Sequence, residues 1–205
     1  SEAQHTNAAL FDAILEGARE AGLPEGWLGM MQTRYEVSEM LKMDEYIDLI
    51  IPRGSNAFVR YIMDHSSIPV LGHADGLCHV YVDRKADIPL AVRVAVDAKA
   101  QYVSVCNACE TLLVHQDIAP AFLPVLKPAM EQAGVRLKGC ARTCALIKVD
   151  PADEADWDTE YLDYVLSIRI VDSLDEAIAF INRHGSGHTD AIMTQDREAA
   201  ARFLN

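Results

Sequence analysis

Two hundred and five residues suffice for one large domain or two small ones, and a composition 50% hydrophobic and 24% charged excludes a chain disordered throughout. Eighteen Lys and Arg against thirty-one Asp and Glu give a net charge of −13, which repels polyanions and speaks against a nucleic-acid binder. No apolar run approaches the roughly 18 residues of a membrane span, and no charged, apolar, small-residue leader opens the sequence, so neither a membrane partner nor a signal peptide is expected.

In chain order, residues 1–21 place Leu10, Phe11, Ile14, Leu15 and Ala18 at helical spacing, with Ser1 and Gln4 as a capping box and Gly22 as the stop. A turn at 22–26 leads to an expected strand at 27–31. Thr33 and Glu36 form a second capping box, opening a helix that reaches about Met43. Residues 47–51 read as a buried strand ended by Pro52, Arg53, Gly54 and Ser55. The next helix shows Phe58, Val59, Ile62 and Met63 on one face. Strands are expected at 68–71 and 77–82, joined through a loop holding His73 and Asp75, then a helix at 88–100. Further strands fall at 102–105, 111–114, 135–137, 145–149, 166–171 and 191–193. Helices fall at 119–133, 174–184 and 195–204, with Pro124 and Pro128 weakening the first, and 150–160 is an acidic loop. Strand and helix alternate, the signature of an α/β fold with a parallel sheet. The chain starts on a helix cap and stops on a helix, and so reads as an internal segment of a longer protein.

Three constellations bear on chemistry. Strand 47–51, a Gly54 turn and a helix beginning at Ser55 form the arrangement that receives phosphate on free backbone N–H groups, with Arg53 adding charge. An ordinary strand–helix turn with a serine cap has the same pattern, and one glycine alone favours that simpler reading. Cys106 follows an expected strand, where a backbone corner favours the thiolate, the form that attacks acyl carbons, and Asn107 offers an adjacent amide. A buried structural cysteine is the alternative. Cys106 with Cys109, and Cys140 with Cys144, also make two pairs, but their unequal spacing and apolar surroundings argue against zinc or a dithiol, and no metal is expected. Cys78 makes the cysteine count odd at five, which fits a reducing compartment better than a disulfide framework. His184-Gly185-Ser186-Gly187-His188 reads as a helix end and turn, and the His73–Asp75 loop as either a ligand-binding tip or a solvated turn.

Five segments occur together in order. They are Ile47-Asp48-Leu49-Ile50-Ile51-Pro52-Arg53-Gly54-Ser55, then Ile68-Pro69-Val70-Leu71-Gly72-His73, then Cys78-His79-Val80-Tyr81-Val82-Asp83. Cys106-Asn107 with Glu110-Thr111-Leu112-Leu113-Val114 follows, and then His184-Gly185 with His188-Thr189-Asp190-Ala191-Ile192. This set resembles the gamma-glutamyl phosphate reductase (glutamate-5-semialdehyde dehydrogenase) family, and equally the reductase half of bifunctional pyrroline-carboxylate synthases. The resemblance implies an aldehyde dehydrogenase-like fold: part of a Rossmann-like NADP-binding domain at 1–98 and an α/β catalytic domain at 99–205.

It also implies NADPH-dependent reduction of L-glutamate 5-phosphate to the 5-semialdehyde with release of phosphate, through a Cys106 thioester, in proline biosynthesis. By the same resemblance Cys106 and Asn107 are catalytic, and Glu2, Arg53, Gly54, Ser55 and Glu160 contact the cofactor. His73 and Asp75 are expected at the substrate. Val70 stands where hydrolytic relatives carry a glutamate base, which fits transfer of the acyl group to hydride rather than to water. The expected partner is a small-molecule substrate, in a cytoplasmic enzyme that is a homo-oligomer when complete. This chain alone is expected to be inactive or nearly so. The alternative is a truncated, non-catalytic piece of that enzyme acting only in binding or assembly.

Overall fold

The central strands of the second half are buried along nearly their whole length because both faces of their sheet are covered. In the computed structural model, which describes residues 3–72 and 75–205, six strands lie parallel: β1 (Cys78–Val82), β2 (Cys109–His115), β3 (Arg136–Gly139), β4 (Asp150–Pro151), β5 (Val165–Val171) and β6 (Asp190–Met193). Their order across the sheet is β4-β3-β5-β2-β1-β6. Side-chain alternation splits each strand between two cores. Val80, Val82, Leu112, Val114, Ile168 and Ile170 face the larger one. Tyr81, Leu113 and Val171 face the smaller, closed by Ala177, Phe180 and Ile181 of α7 (Leu174–His184).

The larger core is closed by α4 (Ile88–Ala100) and α5 (Ala119–Gln132). Helix α5 runs unbroken through Pro124 and Pro128. Pro120, Pro124 and Pro128 recur every fourth residue on the solvent face, while Phe122, Leu123, Leu126 and Met130 are fully buried on the other. Burial of four large side chains, at about 1.5–3 kcal/mol each, outweighs the missing helix hydrogen bonds. Past the sheet's last strand lies α8 (Arg197–Leu204), capped by Asp196.

The chain divides into two compact units, Ser1–Ala74 and Asp75–Asn205. The boundary expected between 98 and 99 lies inside α4, whose Ala91 and Ala95 pack into the larger core, so the helix belongs with the strands it joins. The first unit holds α1 (Gln4–Glu20), α2 (Arg34–Met40) and α3 (Asn56–His65). Gly22 ends α1 as expected. It takes φ 78°, and the Gly22 and Leu23 N–H groups return to the Arg19 and Ala18 carbonyls. The Ser1 half of the first capping box lies outside the described residues. The Thr33–Glu36 box is formed, but α2 stops at Met40 and continues as turns.

Several expected strands are absent. Residues 27–31 pair with nothing among the described residues, and Trp27 and Met31 stay about half exposed. Residues 47–51 and 68–71 reduce to one parallel bridge, Ile50 with Val70. Residues 102–105 form turns, because β1 is already matched at Cys109 and the earlier segment has no strand to join. Residues 145–149 belong mostly to α6 (Ala141–Leu146) and its exit, an apolar run too short for period to separate helix from strand. The acidic loop contains a 3₁₀ turn, Glu154–Asp158, closed by an Asp153–Asp156 capping box.

Candidate active site

Parallel strands all begin at one edge of their sheet, so the segments before them meet there. Cys106 lies half-buried in the turn three residues ahead of β2, where the Ala108 N–H bonds the Val105 carbonyl at 3.0 Å. Gly76 lies two residues ahead of β1 and is buried. Its N–H donates to Glu160 Oε1 at 3.1 Å, from the segment ahead of β5. A Cβ on Gly76 would stand 2.3 Å from the Cys106 carbonyl oxygen and 2.7 Å from Glu160 Oε1. Only glycine allows these three segments to close, so Cys106 and Glu160, both singled out from the sequence, are brought together. Asn107 is exposed beside Cys106, and Asp75 is half-buried beside Gly76. His73 and Glu2 lie outside the described residues.

Further residues, not singled out for this role by sequence, complete the corner. The buried Cys78 thiol donates to the Cys106 carbonyl at 3.3 Å and lies 3.8 Å from His188 Nδ1. The Leu77 N–H donates to Ser186 Oγ at 3.0 Å. Thus the His184–His188 loop, read from sequence as a turn, braces the start of β1. His79, 2% exposed, is held by Asp190 Oδ1, which accepts from the His79 N–H at 3.1 Å and pairs with Nδ1 at 2.9 Å. A glycine directly ahead of an apolar strand is the one signal that marks such a close approach in sequence.

The segment carrying Glu160 has its own anchor. Lys99 Nζ, fully buried, donates to Glu110 Oε2 at 2.6 Å. The Tyr161 and Leu162 backbone N–H groups help offset the rise that burial gives the Glu110 carboxyl. Leu162 takes φ 52°, a conformation costing about 1–2 kcal/mol in a residue with a Cβ. The Tyr161 hydroxyl donates to Asp156 Oδ1 at 2.7 Å and lies 2.8 Å from Ser167 Oγ, and Lys138 pairs with the same Asp156 oxygen. Glu160 is therefore fixed through Tyr161 and Leu162 as well as through Gly76.

The cysteines divide by environment. Burial pushes the Cys78 thiol up to about 11 and the Cys109 thiol up to about 12. Cys109 points into the larger core, away from any pairing with Cys106 as a dithiol. Burial also raises Cys140, but hydrogen bonds from the Thr143 side chain and nearby backbone outweigh it and hold that thiol below its usual value. In native protein at pH 8, iodoacetamide is expected to label Cys106 and Cys140 and to spare Cys78 and Cys109. At a pKa of about 11, thiolate is only about one part in a thousand at that pH. Peptide mapping by mass spectrometry reads the order. Early labelling of Cys109, or none at Cys106, contradicts this geometry.

The first unit holds a separate cleft of about 660 Å³. Gly54 and Ser55 line it, with Met31, Val37, Phe58 and Tyr61 as apolar walls. Ser55 Oγ accepts from the Phe58 N–H at 3.4 Å and so caps α3. A Cβ on Gly54 would fall 2.8 Å from the Phe58 ring, so the glycine leaves the turn bare on that side. Arg53 is exposed next to it. An apolar slot beside a bare turn at a helix start suits a nucleotide: the slot takes a base and the first-turn N–H groups take phosphate. A second crevice of the same volume opens at the carboxyl edge of the sheet, against Asp83, His115 and Asp172, and holds none of the residues singled out from the sequence.

Comparison with known proteins identifies the family of the chain. A sequence profile described as the aldehyde dehydrogenase family matches residues 3–143, and the chain belongs to that family. It is 63% identical to the gamma-glutamyl phosphate reductase of Pelotomaculum thermopropionicum over all of this chain and 47% of that protein. It is 58% identical to the reductase of the same name from Acetivibrio thermocellus, over all of this chain and 48% of that one. The chain thus spans about half the length of the curated relatives it matches. The crystal structure of gamma-glutamyl phosphate reductase from Thermotoga maritima is similar with a TM-score of 0.95 at 39% identity, over 98% of this chain and 50% of that one. The aldehyde dehydrogenase-like α/β fold that the resemblance implied is the fold found.

Proposed function

We propose that this chain carries the nucleophile and part of the cofactor site of an NADPH-dependent reductase that converts L-glutamate 5-phosphate to L-glutamate 5-semialdehyde. The convergence of the Cys106 backbone carbonyl and the Glu160 carboxylate on Gly76 supports the reading most directly, because it packs the turn that bears the thiol against the segment that bears the carboxylate. The identity of 51–63% to proteins named gamma-glutamyl phosphate reductase supports the substrate.

The Cys106 thiolate attacks the acyl carbon of the mixed anhydride. A C–S bond forms, the C–O bond to phosphorus breaks, and inorganic phosphate leaves. Phosphate is a good leaving group, so no activated water is needed. The Asn107 amide, next to the nucleophile in sequence, would donate to the developing oxyanion. NADPH, when bound, supplies the hydride that reduces the Cys106 thioester. The resulting thiohemiacetal expels Cys106 as thiolate and frees the aldehyde. Gly54, Ser55 and Arg53 would hold the dinucleotide phosphates, and Glu160 the nicotinamide ribose. Asp75, with His73 on the same loop, would meet the substrate's amino-acid end. Val70 offers no base to activate water against the thioester.

The complete protein is proposed to act in the cytoplasm, in proline biosynthesis, as a homo-oligomer. Among the described residues no helix is long and apolar enough to cross a membrane. The test runs the reaction backwards in the complete protein. Glutamate semialdehyde with NADP⁺ is expected to yield NADPH only when inorganic phosphate is supplied, because phosphate must displace Cys106 from the thioester. NADPH formation at full rate without phosphate would mean water takes the acyl group and would overturn the reading.

A further inference from the structure

We propose that Cys78 is the resolving thiol of Cys106: when a peroxide oxidises Cys106, Cys78 captures it as a disulfide and keeps the oxidation reversible. The inference rests on the reading of Cys106 as the reactive thiol of the corner. Cys78 opens β1, and its thiol donates to the Cys106 main-chain carbonyl at 3.3 Å. A disulfide holds its two Cα atoms only about 4.4–6.8 Å apart, so contact of one thiol with the other residue's own main chain is the approach it requires. The two side chains also sense each other: burial, the Asp190 carboxylate and the Cys106 thiolate all disfavour ionisation of Cys78. The other thiols are engaged elsewhere. Cys109 faces the larger core and donates to the Thr111 carbonyl at 3.4 Å. Cys140 lies against Thr143 Oγ1 and Cys144 donates to the Gly139 carbonyl, both at the end of β3, on the far side of β5 from β2.

Burial divides the labour. Cys106 is half-buried at a turn, within reach of a small oxidant. Cys78 is 2% exposed, and burial pushes its thiol up to about 11, so it stays protonated at neutral pH. Peroxide therefore reacts with Cys106 first. The Cys106 thiolate attacks one peroxide oxygen, the O–O bond breaks, and hydroxide leaves; the sulfur, oxidised by two electrons, is now a sulfenic acid. The Cys78 sulfur then attacks the Cys106 sulfur. An S–S bond forms, the S–O bond breaks, and the hydroxyl departs as water. His188 Nδ1 lies 3.8 Å from Cys78 Sγ. In the tautomer protonated at Nε2 it takes the Cys78 proton and passes it to the departing hydroxide, supplying the base that so weakly acidic a thiol needs.

The test exposes the complete, reduced protein to hydrogen peroxide, blocks free thiols with iodoacetamide and maps the peptides without reduction. A peptide pair linked through Cys78 and Cys106 is expected, with reductase activity lost in step and nearly all of it regained on adding dithiothreitol. In Cys78→Ser, whose hydroxyl can still donate to the Cys106 carbonyl, the same exposure should carry Cys106 on to sulfinic and sulfonic acid, and the activity regained should fall to nearly none. The mass of the Cys106 peptide reports this even for a variant of low starting activity. Cys109→Ala, outside the corner, should behave as the unmutated protein. Oxidation of Cys106 with no link to Cys78, or recovery in Cys78→Ser equal to that of the unmutated protein, overturns the proposal. A Cys106 that neither peroxide nor iodoacetamide modifies would overturn the nucleophile reading as well, a separate result.

Discussion

Cys106→Ala in the complete protein is expected to lower turnover by at least about 10⁴-fold while NADPH binding stays within about twofold. Removing a covalent nucleophile takes away the step that splits the reaction in two, and losses of this order and beyond are characteristic of such groups. Cys106→Ser should be nearly as severe, because a serine hydroxyl is scarcely ionised near neutral pH and is a far weaker nucleophile than a thiolate. The decisive measurement is single-turnover phosphate release with substrate and no cofactor. The unmutated protein should release about one equivalent as Cys106 becomes acylated, and the alanine variant none. A variant that still gives the burst would place the nucleophile elsewhere. Cys78 and Cys109 are poor candidates, since burial holds both thiols well above the ordinary range.

Lys99→Met is expected to destabilise the second unit by about 3–5 kcal/mol, the cost of stranding a buried charge without its partner. Methionine keeps most of the stem, so the packing loss is small and the charge loss dominates. The pH dependence gives the cause its signature. Burial raises the Glu110 carboxyl above its ordinary value, while Lys99 and the Tyr161 and Leu162 N–H groups pull it back. With Lys99 gone the folded-state value moves further up from an unfolded value of about 4.3. A group raised in this way lends its stability fully below the unfolded value and loses it as pH rises through the folded value. The gap between variant and unmutated protein should therefore widen from pH 5 to pH 8. Urea unfolding followed by circular dichroism at both pH values measures it. A penalty below about 1 kcal/mol, or one that narrows as pH rises, would contradict this account. Because Glu110 holds the backbone just after Glu160, the variant should also disturb the corner that holds Cys106, and its Cys106 labelling rate provides that second readout.

Much of the fold was legible from short-range chemistry. Helices α4 and α7 were placed at their observed bounds, and the structure shows Asp87 and Ser173 capping them. The Thr33–Glu36 box and the Ser55 cap act over three residues, so a local reading found them. Cys106 stood out because a cysteine between an expected strand and the next element can sit on a backbone corner that favours the thiolate. The strands expected at 27–31 and 102–105 failed for one reason. A strand needs a neighbour to accept its hydrogen bonds, and no local pattern says whether one is present.

The sequence by itself determined the alternation of strand and helix and the turn that carries Gly54 and Ser55, and its resemblance to a known family singled out Cys106. Tertiary structure alone decided what surrounds that cysteine. The Gly76 N–H reaches Glu160 across 84 residues, and His79 reaches Asp190 across 111. Both contacts follow from a strand order in which β1 lies between β2 and β6, and β2 between β5 and β1. That order is set by which faces the crossover helices bury, so the strand beginnings become neighbours only when the whole sheet has assembled.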